Sequence, residues 1–113
     1  MKINEKSPPR EYKVGLQNQI TIKDCGTVEL NDDEQLTFIQ KSGKEYDLTR
    51  KDWGYYATPS MNGRLKSFGY ATALVKNSSD MLYIMIVEED KMDLFESYLD
   101  EENQTVVQWF HNE

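Results

Sequence analysis

The side chains that could perform chemistry are few: one histidine, His111, one cysteine, Cys25, and twenty acids. His111 lies close to the C-terminus, where a side chain is poorly positioned for general acid–base work, so solvent is its expected surrounding. Cys25 precedes Gly26 in an expected connection between strands, with no second cysteine and only that distant histidine to activate it, so its expected role is a small, partly buried residue. One His and one Cys cannot assemble the usual ligand set of a structural zinc site. Asp32-Asp33-Glu34 supplies oxygen ligands, but the Asp-x-Asp-x-Asp-Gly spacing of a calcium loop is absent and solvated charge is the simpler reading. Neither G-x-x-x-x-G-K-[ST] nor G-x-G-x-x-G occurs, so the common phosphate cradles are missing. These residues imply no catalytic group, no metal and no cofactor.

One segment concentrates binding chemistry. Trp53-Gly54-Tyr55-Tyr56-Ala57-Thr58-Pro59-Ser60-Met61-Asn62-Gly63-Arg64-Leu65-Lys66 brings together aromatic rings, hydroxyls, an amide and two cations. Trp53, Tyr55 and Tyr56 could stack on a ring, Ser60 and Asn62 could hydrogen-bond, and Arg64 and Lys66 could pair an anion or an acidic partner. The same residues also suit a packed loop in which Trp53, Tyr55 and Leu65 close one end of the core while the two cations are solvated.

Charge is distributed unevenly about these residues. The net charge of −7 argues against nucleic acid and anionic membranes, which attract a surplus of Lys and Arg. The surplus of acid lies between Glu88 and Glu102, where eight acids face Lys91 alone; Arg50 to Lys76 carries five cations against Asp52. A lone cysteine excludes an intrachain disulfide. Met1 to Arg10 lacks the apolar stretch of a secretion signal, and no run approaches the ~18 apolar residues of a membrane helix. The cytoplasm is the expected location.

The elements that must position these groups follow from periodicity. A chain of 113 residues with 12% aromatics fits one domain. Residues 1–13, interrupted by Pro8-Pro9, read as a mobile N-terminal arm, and residues 14–113 as a single domain. Ile20 and Ile22, Val28 and Leu30, and Leu36 and Phe38 alternate with polar neighbours as three half-buried strands, and Ser42-Gly43 marks a hairpin before Tyr46 to Leu48. Trp53 to Gly69 reads as a long loop, with one turn of helix capped by Ser60. Ala71 to Val75 is a strand and Asn77 to Asp80 a turn. Met81 to Val87, apolar throughout, is expected at the centre of the sheet with both faces buried. Asp90 can cap a helix presenting Met92, Phe95, Tyr98 and Leu99 on one face, ended by Asn103, before a last strand from Thr105 to Phe110. The class is α+β: an antiparallel sheet of five to seven short strands, one C-terminal amphipathic helix packed on it, and a final strand.

Trp-Gly-Tyr-Tyr-Ala-Thr-Pro-Ser-Met-Asn-Gly-Arg-Leu-Lys-Ser-Phe-Gly at 53–69, with Ala73-Leu74-Val75-Lys76-Asn77, resembles a family of short, uncharacterised bacterial proteins associated with surface-carbohydrate biosynthesis loci. The similarity runs from about Lys23 to the C-terminus; it implies a biosynthetic context and names no catalytic residue. Two functions are therefore expected. The first is a non-catalytic accessory or interaction module with a protein partner, a homodimer included. The alternative is a small-ligand-binding domain or enzyme that holds an anionic metabolite such as a sugar phosphate at the 53–69 loop.

Overall fold

The computed structural model describes residues 1–110. It is of the α+β class, built from antiparallel strands with a C-terminal helix and a closing strand. The described residues form eight strands in three small sheets, and the chain divides into two compact units at Thr58/Pro59, where one sheet and one domain were expected.

The first unit, Met1–Thr58, holds two sheets. Strand β1 (Lys2–Val14) pairs antiparallel with β2 (Ile20–Glu29), so the segment read as an unstructured arm is one half of a ribbon. Its prolines are accommodated because the register shifts between Glu5 and Arg10, the one place where ladder bonds lapse; the Ser7–Pro8 bond is cis. The two short strands expected around Ile20–Ile22 and Val28–Leu30 are one continuous strand that passes through Cys25-Gly26. Cys25 is accordingly exposed rather than partly buried. Gly26 has φ 141°, and a Cβ there would stand 2.2 Å from the Asn4 carbonyl oxygen, so the close approach of the two backbones requires glycine.

The second sheet of this unit has the order β3 (Gln35–Ile39), β4 (Glu45–Lys51), β5 (Gly54–Ala57). The β3–β4 hairpin turns where Ser42-Gly43 indicated, with Gly43 at φ 92° and its N–H donating to the Gln40 carbonyl at 2.9 Å. Strand β5 corrects the reading of residues 53–69 as loop: Tyr55-Tyr56, an aromatic pair, extends the β4 ladder. No apolar side chain of this unit is fully buried; Asp47 is its buried residue, 4% exposed.

The second unit begins at Pro59. A one-turn helix α1 (Arg64–Ser67) leads into a sheet of order β7 (Leu82–Glu88), β6 (Tyr70–Lys76), β8 (Thr105–Phe110). The helical turn expected after Ser60 is present, three residues later than a direct N-cap would place it: the Arg64 N–H donates to Ser60 Oγ at 3.2 Å. The centre of the sheet is β6, not Met81–Val87. Ala73 and Val75 of β6 are fully buried, and together with Leu99 they form the core on which Met85, Phe95, Tyr98, Val106 and Trp109 pack. Phe95 meets Trp109 edge to face at 5.8 Å. Strand β7 lies at the edge, with Leu82 and Ile84 about 60% exposed. Its continuous apolar run reflected one neighbouring strand rather than two.

Helix α2 (Met92–Glu101) follows a 3₁₀ turn at Glu89–Lys91. Asp90 sits in that turn and is not the N-cap, a position held by Lys91 without a capping side-chain bond. The helix stops at Asn103, which adopts φ 52° while the Gln104 N–H returns to the Leu99 carbonyl at 2.9 Å.

Candidate functional site

The seven residues singled out in the sequence are divided between the two units. Trp53, Tyr55 and Tyr56 belong to the first; Ser60, Asn62, Arg64 and Lys66 belong to the second.

In the first unit the β4–β5 hairpin turns at Asp52-Trp53, with Lys51 and Gly54 as its last paired residues. This places Trp53 at the tip, 69% exposed. Neighbouring residues of a strand point to opposite faces, so Tyr55 and Tyr56 cannot serve one pocket. Tyr56 stands opposite Thr49 on the face that carries Gln35, Thr37 and Asp47. Tyr55 stands opposite Arg50 on the face that carries Leu36, Phe38, Tyr46 and Leu48. The Arg50 guanidinium covers the Tyr55 ring at 5.5 Å from its centre, and Nη1 donates to the Gly54 carbonyl at 2.9 Å. Arg50 was visible in the sequence only as one charge among several; its place directly across from an aromatic residue is a matter of register. Lys51 donates to the Asp33 carboxylate, which holds its ammonium above the usual lysine range. The Thr58 hydroxyl donates to the Asp47 carboxylate, and the Thr58 N–H donates to the Asp47 carbonyl at 3.2 Å, anchoring the end of this sheet.

In the second unit Ser60 is engaged in the backbone of α1: its carbonyl accepts from the N–H groups of Gly63 and Leu65 at 3.2 and 3.0 Å, besides the bond to its hydroxyl. Leu65, 1% exposed, anchors the helical turn. Asn62, Arg64 and Lys66 lie on its exposed side. Of the other cations between Arg50 and Lys76, Lys76 pairs with Asp80 at 3.6 Å.

A shallow cleft of about 360 Å³ opens beside the β1–β2 ribbon, lined by Pro8, Pro9, Glu11 and Lys23, and holds none of the seven residues. Among the described residues no group of three His, Cys, Asp or Glu side chains is placed to hold a metal ion. His111 lies outside the described residues. No helix of the described residues is long and apolar enough to cross a membrane.

No family model, curated protein or solved structure matches the chain.

Proposed function

We propose that this protein is a non-catalytic interaction module that binds a protein partner through the apolar surface of its first unit, with the β4–β5 hairpin as the anchor. The observation that carries the reading is an imbalance of burial. Trp53 at the tip of the β4–β5 hairpin and Tyr55 beside it are 69 and 66% exposed, in a unit without a fully buried apolar side chain. Exposed patches of this kind mark contact surfaces in folded proteins, and Trp, Tyr and Arg are the residues that dominate binding energy at interfaces. Arg50 held over Tyr55 is an ordered contact element of that type. The resemblance to proteins of surface-carbohydrate loci supplies the context, an enzyme of that biosynthesis being the partner class.

Cross-linking in the native host, read by mass spectrometry, tests the reading. Lysine-reactive reagents should capture one partner repeatedly through Lys51, and Trp53→Ser with Tyr55→Ser should reduce its capture at least tenfold while the melting temperature stays unchanged. Equal capture by the double variant would reject the hairpin as the anchor. Stabilisation of the wild-type chain by a sugar phosphate, lost in Arg64→Glu, would replace this reading with the ligand-binding one.

A further inference from the structure

Strand β7 leaves one edge of its sheet open, and the bonds that end its ladder fix which backbone groups face outward. The Glu89 N–H donates to the Gly69 carbonyl at 2.8 Å, and the Asn77 N–H donates to the Met81 carbonyl at 3.0 Å. Both lie in line with the unbroken Tyr70–Glu88 register. In an antiparallel ladder the directly bonded pairs alternate, so odd-numbered residues of β7 bond to β6. Leu82, Ile84 and Ile86 turn their N–H and C=O groups the other way, where no described strand pairs with them. Folded proteins usually guard such an edge with a lysine, a proline or a bulge. The stretch Leu82–Val87 contains neither Lys nor Pro, and its register has no shift. Met81, Leu82, Tyr83 and Ile84 are 60, 59, 46 and 60% exposed, residues of both faces in succession.

We propose that β7 pairs antiparallel with β7 of a second copy of this chain, about a two-fold axis at Ile84, so that two three-stranded sheets become one of six strands. In that register Ile84 faces Ile84, Leu82 faces Ile86 and Tyr83 faces Met85 of the other copy. All the outward backbone groups of Leu82, Ile84 and Ile86 are then bonded, and each cross-strand pair is apolar. Sliding the pairing by one step in either direction sets Leu82 against Glu88 or Ile86 against Asp80; this register instead leaves Leu82–Ile86 wholly matched and opposes Asp80 to Glu88 only beyond the apolar strip, so the apolar match is what selects it. A chain of net charge −7 repels its own copies, yet the strip is uncharged. The acids at its ends are held by their own cations, Asp80 by Lys76 at 3.6 Å and Glu88 by Lys91 at 3.4 Å. Self-complementarity is what favours a second copy over a foreign strand. An edge pairing of this length buries less than the ~800 Å² per partner of a standard interface, so the dimer is of micromolar or weaker affinity.

Sedimentation equilibrium of the full chain over a wide concentration range should show a reversible dimer. Ile84→Lys, which sets two ammonium groups face to face, should weaken it at least tenfold without changing the melting temperature of the protomer. For the register, Ile84→Cys in a Cys25→Ser background should form a disulfide-linked dimer on mild oxidation, since bonded antiparallel pairs lie ~5.5 Å apart. Leu82→Cys in the same background should not, because its two copies stand roughly 14 Å apart. A monomer at every concentration, an Ile84→Lys variant that dimerises as well as wild type or melts markedly lower, or equal cross-linking at Leu82 and Ile84 would each overturn the proposal.

Discussion

Lys6 and Asp24, eighteen residues apart, bring Nζ and Oδ2 to 2.7 Å across the β1–β2 ribbon, just where its register shifts. The same carboxylate accepts the Gly26 N–H through Oδ1 at 3.1 Å and faces Arg10 at 3.2 Å. The hydrogen bond from Lys6, then that from Gly26, lowers its pKa to about 2. A depressed carboxylate stabilises the folded ribbon above the unfolded value near 4, and that contribution fades as pH falls towards 2. An NMR titration of the Asp24 carboxyl should have its midpoint near 2 and move upward in Lys6→Ala. A midpoint in the ordinary aspartate range would show that the pair does not persist in solution.

Ile84 and Met85 are neighbours with opposite fates. Ile84→Asp places a charge on a 60% exposed edge position and should change unfolding free energy by less than about 1 kcal/mol. Met85 packs on the core formed by Ala73, Val75 and Leu99, so Met85→Asp buries an unpaired charge and should destabilise by several-fold more. Urea denaturation of both variants checks this; equal losses would mean that β7 is covered on both faces.

Gly26→Ala should loosen the ribbon, because the added carbon meets the Asn4 carbonyl oxygen at 2.2 Å in a backbone of φ 141°. Strain of this kind costs about 1–3 kcal/mol. Hydrogen exchange should show the β1 and β2 amides losing protection while those of β6 and β8 keep theirs. Unchanged protection of the β1 amides would refute the pairing of Asn4 and Glu5 with this part of β2.

Leu65, 1% exposed, ties the short helix α1 into the second unit. Leu65→Ala should cost about 2–5 kcal/mol, the range for emptying a buried leucine site. The check is the denaturation midpoint; a loss below 1 kcal/mol would place Leu65 at the surface.

What could be read from the sequence was whatever depends on neighbours along the chain. The helical spacing of Met92, Phe95, Tyr98 and Leu99, the turn residues Ser42-Gly43 and Asn77 to Asp80, and the strand from Thr105 to Phe110 appear in the structure where their local chemistry puts them. What could not be read depends on partners distant in sequence. An apolar run looks the same whether it has one neighbouring strand or two, so β7 passed for a central strand. Pro8-Pro9 argues against a regular strand, yet a register shift takes them in. The candidate site was legible as composition, whereas strand parity, which puts Tyr55 and Tyr56 on opposite faces, and the assignment of Arg64 to the second unit are set by pairings distant in sequence.

The thin interior of the first unit also bears on calorimetry. Heat capacity rises on unfolding because apolar groups that were dry become hydrated. Met1–Thr58 keeps no apolar side chain fully dry, so its melting adds less per residue to that rise than a unit with a buried core, and the unfolding of the isolated chain should show a smaller heat-capacity increment than its length would suggest. A partner that covered Trp53, Tyr55 and Phe38 would dry those rings, and the heat-capacity increment of the complex would exceed the sum of its separate parts.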